Sequence, residues 1–410
     1  MKSKIPALKY CESIFDGTHE TPKPSKSGHP LVTSKNILRG DLELESTHLI
    51  SDEDYSLVQK RSAVSKWDIL FSMIGSVGEI YLETNNDIRY AIKNLGVFSC
   101  KDEYKAKWLY YYLKSPYARK VIANYLNGAV QKFLPLDFLR QFPVENYQTN
   151  KKTLIDFLYN LDSKIAINKK IKVELEQLAK AIFDYWFVQF EFPNDKSKPF
   201  KSAGGRMEYK DDLKREIPIG WHVHKIGDVL DTSLGGTPST SNKSFWTNGT
   251  INWLNSAEMN TFPIIKSENK ITEEAVKNSA TKLMCKGTVA LSITRYIRPT
   301  ILAIDSCANQ SVVGIHESEK FKSSYIYPNL INEITRYMII RTGAMQPHIN
   351  LDTIKTSLIV EPENNVLKKY YEIVDPIYQQ IIKNALETEE LIDFRDFLFP
   401  MLMNGQIEVN

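Results

Sequence analysis

A chain of 410 residues is too long for one ordinary core and suits two or three domains. Its 42% hydrophobic and 25% charged content is that of a water-soluble folded protein, and it offers no run of about 18 apolar residues to span a membrane. A net charge of +3 fits a nucleic-acid binder with local basic patches, and fits many enzymes equally well. The opening "MKSKIPALKYCESIF" has neither an apolar core nor a small-residue cleavage site, so no signal peptide is expected. Cys11, Cys100, Cys285 and Cys307 stand far apart with no C-x-x-C pair, which points to a reducing, cytoplasmic setting and away from structural zinc.

In chain order, the first globule covers residues 1–150. It holds a Gly-Thr turn in "DGTHETP" at 16–22, a hairpin pattern in "KWDILFSMIGSVGEIYL" at 66–82, and "NGAVQKFLPLDFL" at 127–139. A long helix is predicted over 151–190. Its seam runs through Leu154, Leu158, Leu161, Ile165, Asn168, Lys172, Leu175, Ala179, Ile182 and Trp186 at alternating steps of four and three. Without an internal Pro or Gly it makes a rod of roughly 50 Å, and the polar Asn168 and Lys172 interrupt the seam as register-fixing residues do. Residues 191–220, rich in Lys, Ser, Gly and Pro, read as an exposed connector.

The second globule covers 221–365 and repeats the first. Its turn is "GGTPST", its hairpin is "KGTVALSITRYIRPTIL" at 286–302, and "TGAMQPHINLDTI" at 342–354 answers 127–139. A shift of 215 residues (309 − 94) lays 94–139 over 309–354 without a gap. It gives 11 identities in 46 positions, among them Asn94/Asn309, Lys107/Lys322, Tyr110/Tyr325, Tyr112/Tyr327, Gly128/Gly343, Gln131/Gln346, Leu136/Leu351 and Asp137/Asp352. A twofold repeat of this length means two similar domains rather than a solenoid. The last segment, 366–410, is a second helix and tail. The helix is expected to start at Asp375-Pro376 after a separate turn over 366–373, and to run through Ile377, Ile381, Leu391, Phe394 and Leu398 to Pro400. Two amphipathic rods with unmatched stripes are expected to pack as an antiparallel pair.

Catalytic motifs are missing where they would be needed. "DPIY" at 375–378 is similar to the tetrapeptide with which amino-methyltransferases hold a flipped adenine, but no Gly-rich nucleoside loop precedes it, and helix capping explains it better. "GGTPST" lacks the Gly-Lys-Ser/Thr of a phosphate loop. His222 and His224 share a strand face without further metal ligands. "ENK" at 268–270 is a fragment of a nuclease pattern without its upstream aspartate, and no nucleophile elbow is present. The repeated tyrosines beside lysines are read as a core face in preference to a base-stacking platform. The chain reads as a binder rather than a catalyst.

Three stretches resemble one family. "LIDFLYNLDSKIAINKKIKVELEQLAKAIFDYWFVQFEFP" is similar to the central helical region of specificity subunits of type I restriction-modification systems. "GWHVHKIGDVLDTSLGGTPSTSNKSFWTNGTINWLNSAEM" resembles the start of their second target recognition domain, and "LIDFRDFLFPMLMNGQIEV" their C-terminal helical region. The resemblance covers nearly the whole chain and is weakest in the globules. It implies an α/β fold: two α/β target recognition domains separated by a long antiparallel, coiled-coil-like two-helix spacer, with pseudo-twofold internal symmetry. It also implies a non-catalytic subunit that reads a bipartite site in double-stranded DNA. Two modification subunits, adenine methyltransferases holding S-adenosylmethionine, would dock on the helices, and restriction subunits using ATP and Mg²⁺ would join them. No cofactor, metal or membrane is implied for this chain itself. The start departs from the pattern: "MKSKIPALKY" is short against "GWHVHKIGDV", so the first lead-in strand is expected to be curtailed, with "NGQIEVN" completing that end. A stand-alone DNA-binding homodimer and a self-contained nuclease or methyltransferase are the rival readings.

Base edges are read by Arg, Lys, Asn and Gln, and hydroxyls serve both bases and phosphates. Candidate DNA contacts in the first domain are Thr18, His19, Thr21, Lys23, Lys35, Asn36, Ser72, Met73, Ser76 and Lys132. In the second they are Thr237, Ser239, Asn255, Ser292, Thr294, Arg295, Tyr296, Arg298, Gln346 and His348. Residues shared by the two loops, Gln131/Gln346 included, fit scaffold or backbone contact. Lys132 and His348, where the loops differ, fit specificity.

Overall fold

The computed structural model describes residues 4–38, 40–127, 133–294, 297–343 and 348–409. They form two compact units: 1–164 with 391–410, and 165–390. Along the chain, the first takes β1 (Lys4–Pro6), α1 (Ala7–Tyr10), β2 (Ser13–Asp16), β3 (His29–Val32), β4 (Ile37–Leu38), β5 (Asp41–Leu42), β6 (His48–Ile50), α2 (Asp52–Ser62), β7 (Asp68–Ser72), β8 (Ile80–Leu82), β9 (Ala91–Ile92) and β10 (Leu95–Ser99). Then come α3 (Glu103–Lys114), α4 (Pro116–Asn127), α5 (Leu136–Gln141), β11 (Pro143–Glu145) and the long α6 (Lys152–Phe183). The second unit takes β12 (Met207–Lys210), β13 (Arg215–Pro218), β14 (His222–Lys225), α7 (Ile226–Val229), β15 (Thr232–Leu234), β16 (Ile251–Leu254), β17 (Asn269–Ile271), α8 (Glu273–Lys277), β18 (Val289–Ser292), β19 (Pro299–Ile301), β20 (Ser306–Ala308) and β21 (Val312–Ile315). It ends with α9 (Ser323–Ile340), α10 (Leu351–Lys355), β22 (Leu358–Glu361) and α11 (Asn364–Asn404), whose last turns belong to the first unit.

The repeat is also topological. An antiparallel sheet ordered β2-β10-β7-β8 in one unit is matched by β15-β21-β18-β19 in the other. A smaller sheet, β6-β3-β9 with β3 parallel to β9, is matched by β17-β16-β20 with β16 parallel to β20. Strands β7, β10, β18 and β21 are buried along their whole length, which is why they read as near-continuous apolar runs. Asp68, buried at the base of the first hairpin, has its pKa raised by desolvation, and it holds the local turn by accepting from the Ser65 N–H at 2.8 Å.

Both expected hairpins form, as β7–β8 and β18–β19. The lead-in strand of the first unit is present: β1 pairs with β11 as β14 pairs with β22, over three residues instead of four. The tail forms no strand among the described residues; Val409 packs on the first unit's core instead. Residues 191–220 are for the most part exposed, as expected, but they are more than a connector. They fold into the β12–β13 hairpin, and Phe192 stacks between Phe200 and Trp221 with ring centroids 4.6 and 5.0 Å away. The Lys and Ser content masked an aromatic spacing that joins this segment to the second unit's main core.

The C-terminal helix corrects its expected start. It is continuous from Asn364, and Pro376 lies inside it. Proline costs a helix one donor. Here the turns before it carry Val366, Leu367, Tyr370 and Val374 into the core, and that burial holds the helix together. Asp375 does not cap: its carboxylate accepts from Ser324 Oγ and Lys322 Nζ, each at 2.6 Å. Lys322 thereby ties α9 to a long helix, as its repeat partner Lys107 does by standing 3.5 Å from the centre of the Tyr159 ring on α6.

Helix α6 buries its expected seam, about 48 Å long at 1.5 Å per residue, and ends in one π turn, Asp184–Val188. In the second unit its segment runs antiparallel to α11. Asn168 Nδ2 donates to Glu387 Oε2 at 3.1 Å, while Trp186, toward the other end, meets the Tyr370 ring at 5.8 Å. In the first unit Arg395 donates to Asp162 at 2.7 Å, and Phe394 meets Phe157 edge-on. Among the described residues no helix is long and apolar enough to cross a membrane.

The helix pair buries two amides, Asn168 and Asn384. Asn168 Oδ1 and Asn384 Nδ2 have no hydrogen-bond partner. A buried unsatisfied polar atom costs roughly 1–3 kcal/mol. Asn384→Leu, which leaves the Asn168–Glu387 bond in place, is therefore expected to raise the urea midpoint of unfolding, and a lower midpoint would refute this account.

Candidate nucleic-acid interface

In each unit the hairpin tip is bound to the repeated loop by the same backbone contacts. The Leu134 N–H donates to the Met73 carbonyl at 2.9 Å, and the Ile349 N–H donates to the Ile293 carbonyl at 2.9 Å. One residue further out, Ile74 forms an antiparallel bridge with Phe133, and Thr294 forms one with His348. Behind the tip a buried serine closes the turn on itself: Ser72 Oγ donates to the Ile74 carbonyl at 3.1 Å and Ser292 Oγ to the Thr294 carbonyl at 2.9 Å. The repeated loop is thus a prop that holds a hairpin tip outward.

A second loop leaves β2 or β15 beside this tip sheet. Gly17 lies so close to the neighbouring strand that a Cβ would stand 2.5 Å from the Ile92 carbonyl oxygen, and one on Gly235 would stand 2.5 Å from that of Ala308. Thr18 N–H then donates to Ile92 O and Gly236 N–H to Ala308 O. The hydrogen bonds thus place Gly17 opposite Gly235, not Gly236, and His19 opposite Thr237. Both of these are exposed and both reach a polar side chain on the facing loop. His19 Nδ1 is 3.0 Å from Asn94 Oδ1, and Thr237 Oγ1 donates to Gln310 Oε1 at 2.5 Å.

The model of the type I restriction modification DNA specificity domain matches this chain twice, over residues 18–177 and 218–391, one match beginning at or near the start of each repeat. The chain belongs to the type I restriction-modification specificity family. It is 25% identical to the MjaIX specificity subunit of Methanocaldococcus jannaschii over 80% of this chain and 73% of that one. It is 22% identical to the HindI specificity subunit of Haemophilus influenzae over 85% and 88%. The fold is shared with the crystal structure of a type I S subunit from M. genitalium, at a TM-score of 0.59 and 14% identity over 98% of this chain and 96% of that one. Specificity subunits are the non-catalytic DNA-recognition components of restriction-modification complexes.

In this specificity chain the candidate contacts divide by what their side chains already do. Thr18, Met73, Ser72 and Ser292 are buried and belong to the scaffold. Asn36 is buried and accepts from Thr33 N–H and Oγ1 at 2.9 and 3.0 Å, and Asn255 accepts from Ala257 N–H at 2.8 Å, so both amides hold turns. Thr21 accepts from Lys93. Ser239 pairs with Ser241 at 2.8 Å. His19, Lys23, Lys35, Ser76, Thr237, Ser239, Arg298 and His348 are exposed, and Thr294 is half-buried. A Cβ on Gly75 would lie 3.5 Å from Ser34 Oγ, which sets the first tip beside the Ser34–Asn36 turn that carries Lys35. Lys132, Arg295, Tyr296 and Gln346 lie outside the described residues.

Near the second tip, Lys172 Nζ on α6 donates to the Phe262 carbonyl at 2.9 Å. Burial lowers its pKa against the attraction of Glu176, and the charge of Arg298 adds to the lowering. The repeated tyrosines are core residues on α3 and α9. Tyr112 donates to the Pro143 carbonyl at 3.0 Å and Tyr327 to Glu176 at 2.7 Å, so they offer no stacking platform. Among the described residues no cluster of three His, Cys, Asp or Glu could hold a metal; His224 pairs with Glu361 at 2.6 Å. Sequence reading missed Ile74, Phe133, Asn94 and Gln310. The Asn94/Asn309 identity hinted at the facing loop; Ile74 and Phe133 lie within the hairpin and the repeated loop that the sequence marks, and are not themselves among the candidate contacts.

The close approach at Gly235 predicts that Gly235→Ala forces β15 away from the carbonyls behind it. Overpacking of this kind costs about 1–3 kcal/mol. The denaturant midpoint should fall accordingly; an unchanged midpoint would show that the strand gives way freely.

Proposed function

We propose that each recognition domain reads one half of a bipartite DNA site through its hairpin tip and the loop after β2 or β15. The observation that carries this reading is one backbone frame built twice with different side chains, exposed or half-buried: Ile74, Phe133, His19 and Asn94 against Thr294, His348, Thr237 and Gln310. A shared frame suits one ligand shape, the duplex; different side chains suit different bases. Lys23, Lys35 and Arg298 supply phosphate or guanine contacts at the rim.

In this proposal the helix pair sets the gap between half-sites and docks two modification subunits, which are adenine-N6 methyltransferases. Those subunits bind S-adenosylmethionine and take the target adenine out of the stack. Restriction subunits, with ATP and Mg²⁺, complete the assembly, and this chain carries no cofactor.

Co-expression with the cognate modification subunit should yield a stable complex that methylates adenine at a split site, detected by mapping modified adenines in the host genome. Failure to assemble, or methylation by this chain alone, would defeat the proposal. A heptad inserted into each long helix adds about 10 Å, or roughly three base-pair steps. It should lengthen the gap and leave both half-sites unchanged; an altered half-site would refute separate readers.

A further inference from the structure

The two tips differ in chemistry. Ile74 and Phe133 are 46% and 41% exposed. Antiparallel bridge partners send their side chains to one face, with Cβ atoms about 5 Å apart. Their neighbours Met73 and Leu134 point inward and are buried, so this ladder turns one apolar pair into the core and one out to solvent. Among the described residues, Ile74 and Phe133 stand outside the buried and half-buried sets that make the first unit's hydrophobic cores, and Phe133 meets no other ring. Single exposed apolar residues are common. Two of them, clamped side by side on an outward-held tip, are not explained by packing. In the second unit the same two places hold Thr294 and His348, which carry hydrogen-bonding groups.

We infer that Ile74 and Phe133 form an apolar reader of thymine in the half-site bound by the first domain, and that the second domain has no such reader. This rests on the proposal that the tips face DNA. On the major-groove edge of a base pair the C5-methyl group of thymine is the one apolar group that stands out from the edge; cytosine offers only a C5–H there. A pair of side chains without donors or acceptors favours that methyl group and gives the hydrogen-bonding atoms of any edge no partner. Exposed Lys35, on the turn beside Gly75, stands where a phosphate contact would hold the tip in the groove.

The test uses the complex with modification subunits and duplexes in which uracil replaces thymine in one half-site at a time. Uracil lacks only the methyl group. Burying one such group contributes about 0.8 kcal/mol, so each methyl read should cost about fourfold in affinity when removed. The first domain's half-site should respond and the other should not. Ile74→Ser/Phe133→Ser should weaken binding to the thymine duplex and remove the difference between thymine and uracil. If uracil is tolerated in both half-sites while site-specific binding persists, the inference fails and the DNA-facing reading survives. If substitutions at both tips, Thr294→Ala/His348→Ala included, leave specific binding intact, the reading itself fails. Two further results would overturn the inference. Brightening of 2-aminopurine beside a uracil-tolerant site would make the pair an intercalating wedge. Loss of assembly with modification subunits in the serine variant, together with uracil tolerance in the parent, would make it a protein contact.

Discussion

One backbone hydrogen bond per unit decides what this molecule can present. The amide of Leu134 meets the carbonyl of Met73, and the amide of Ile349 meets that of Ile293. Each bond joins segments about sixty residues apart in sequence and stops a hairpin tip from lying down on its own sheet. Isolated two-stranded tips are marginal in water. Propped by a second segment and closed by a buried serine hydroxyl, these tips are held outward. The exposed side chains then project from a fixed place, so that loop residues gain the placement that recognition requires.

The prop in turn depends on the long helices. In the second unit the end of α6 is sunk in an aromatic cluster, with Phe187 4.9 Å from Tyr325 and 4.8 Å from Tyr370, ring centre to ring centre. Tyr325 lies on α9, which leads directly into the repeated loop. In the first unit Tyr111 on α3 donates to Asp162 on α6 at 3.0 Å, and Lys107 leans on Tyr159 of the same helix. Each unit is therefore fastened to its share of both rods through one helix that follows its main sheet: α3, whose Tyr111 also meets Phe399 of α11, and α9. The contacts differ in kind, aromatic in one unit and more polar in the other, and their place in the fold is the same.

Much of this was legible before any coordinates. The shift of 215 residues announced the two domains, and the seam from Leu154 to Trp186 announced the central helix. Apolar runs with polar turns announced both hairpins. The failures have physical causes. Asp375-Pro376 has the local form of a helix start, but aromatic burial before it outweighs the proline. Residues 191–220 have a linker's composition, but Phe192, Phe200 and Trp221 find one another. Among the candidate contacts, residue type was a poor guide to exposure. Asn36, Ser72, Asn255 and Ser292 looked like readers and are occupied with their own turns. Ile74 and Phe133, apolar and not picked as contacts, stand exposed. Sequence alone cannot say which of two neighbours in a strand faces inward until its partner is known.

The clamped tips bear on how such a chain can change over generations. Amide-to-carbonyl contacts are indifferent to side-chain identity, and the outward residues support no core. Substitutions there should be nearly neutral for folding, as surface changes usually are. New side chains can be tried at these places without first acquiring compensating mutations elsewhere. The atoms that hold the fold and the side chains that stand out from the tips are separate sets, so exchange of the outer side chains leaves the constraint on the fold unchanged.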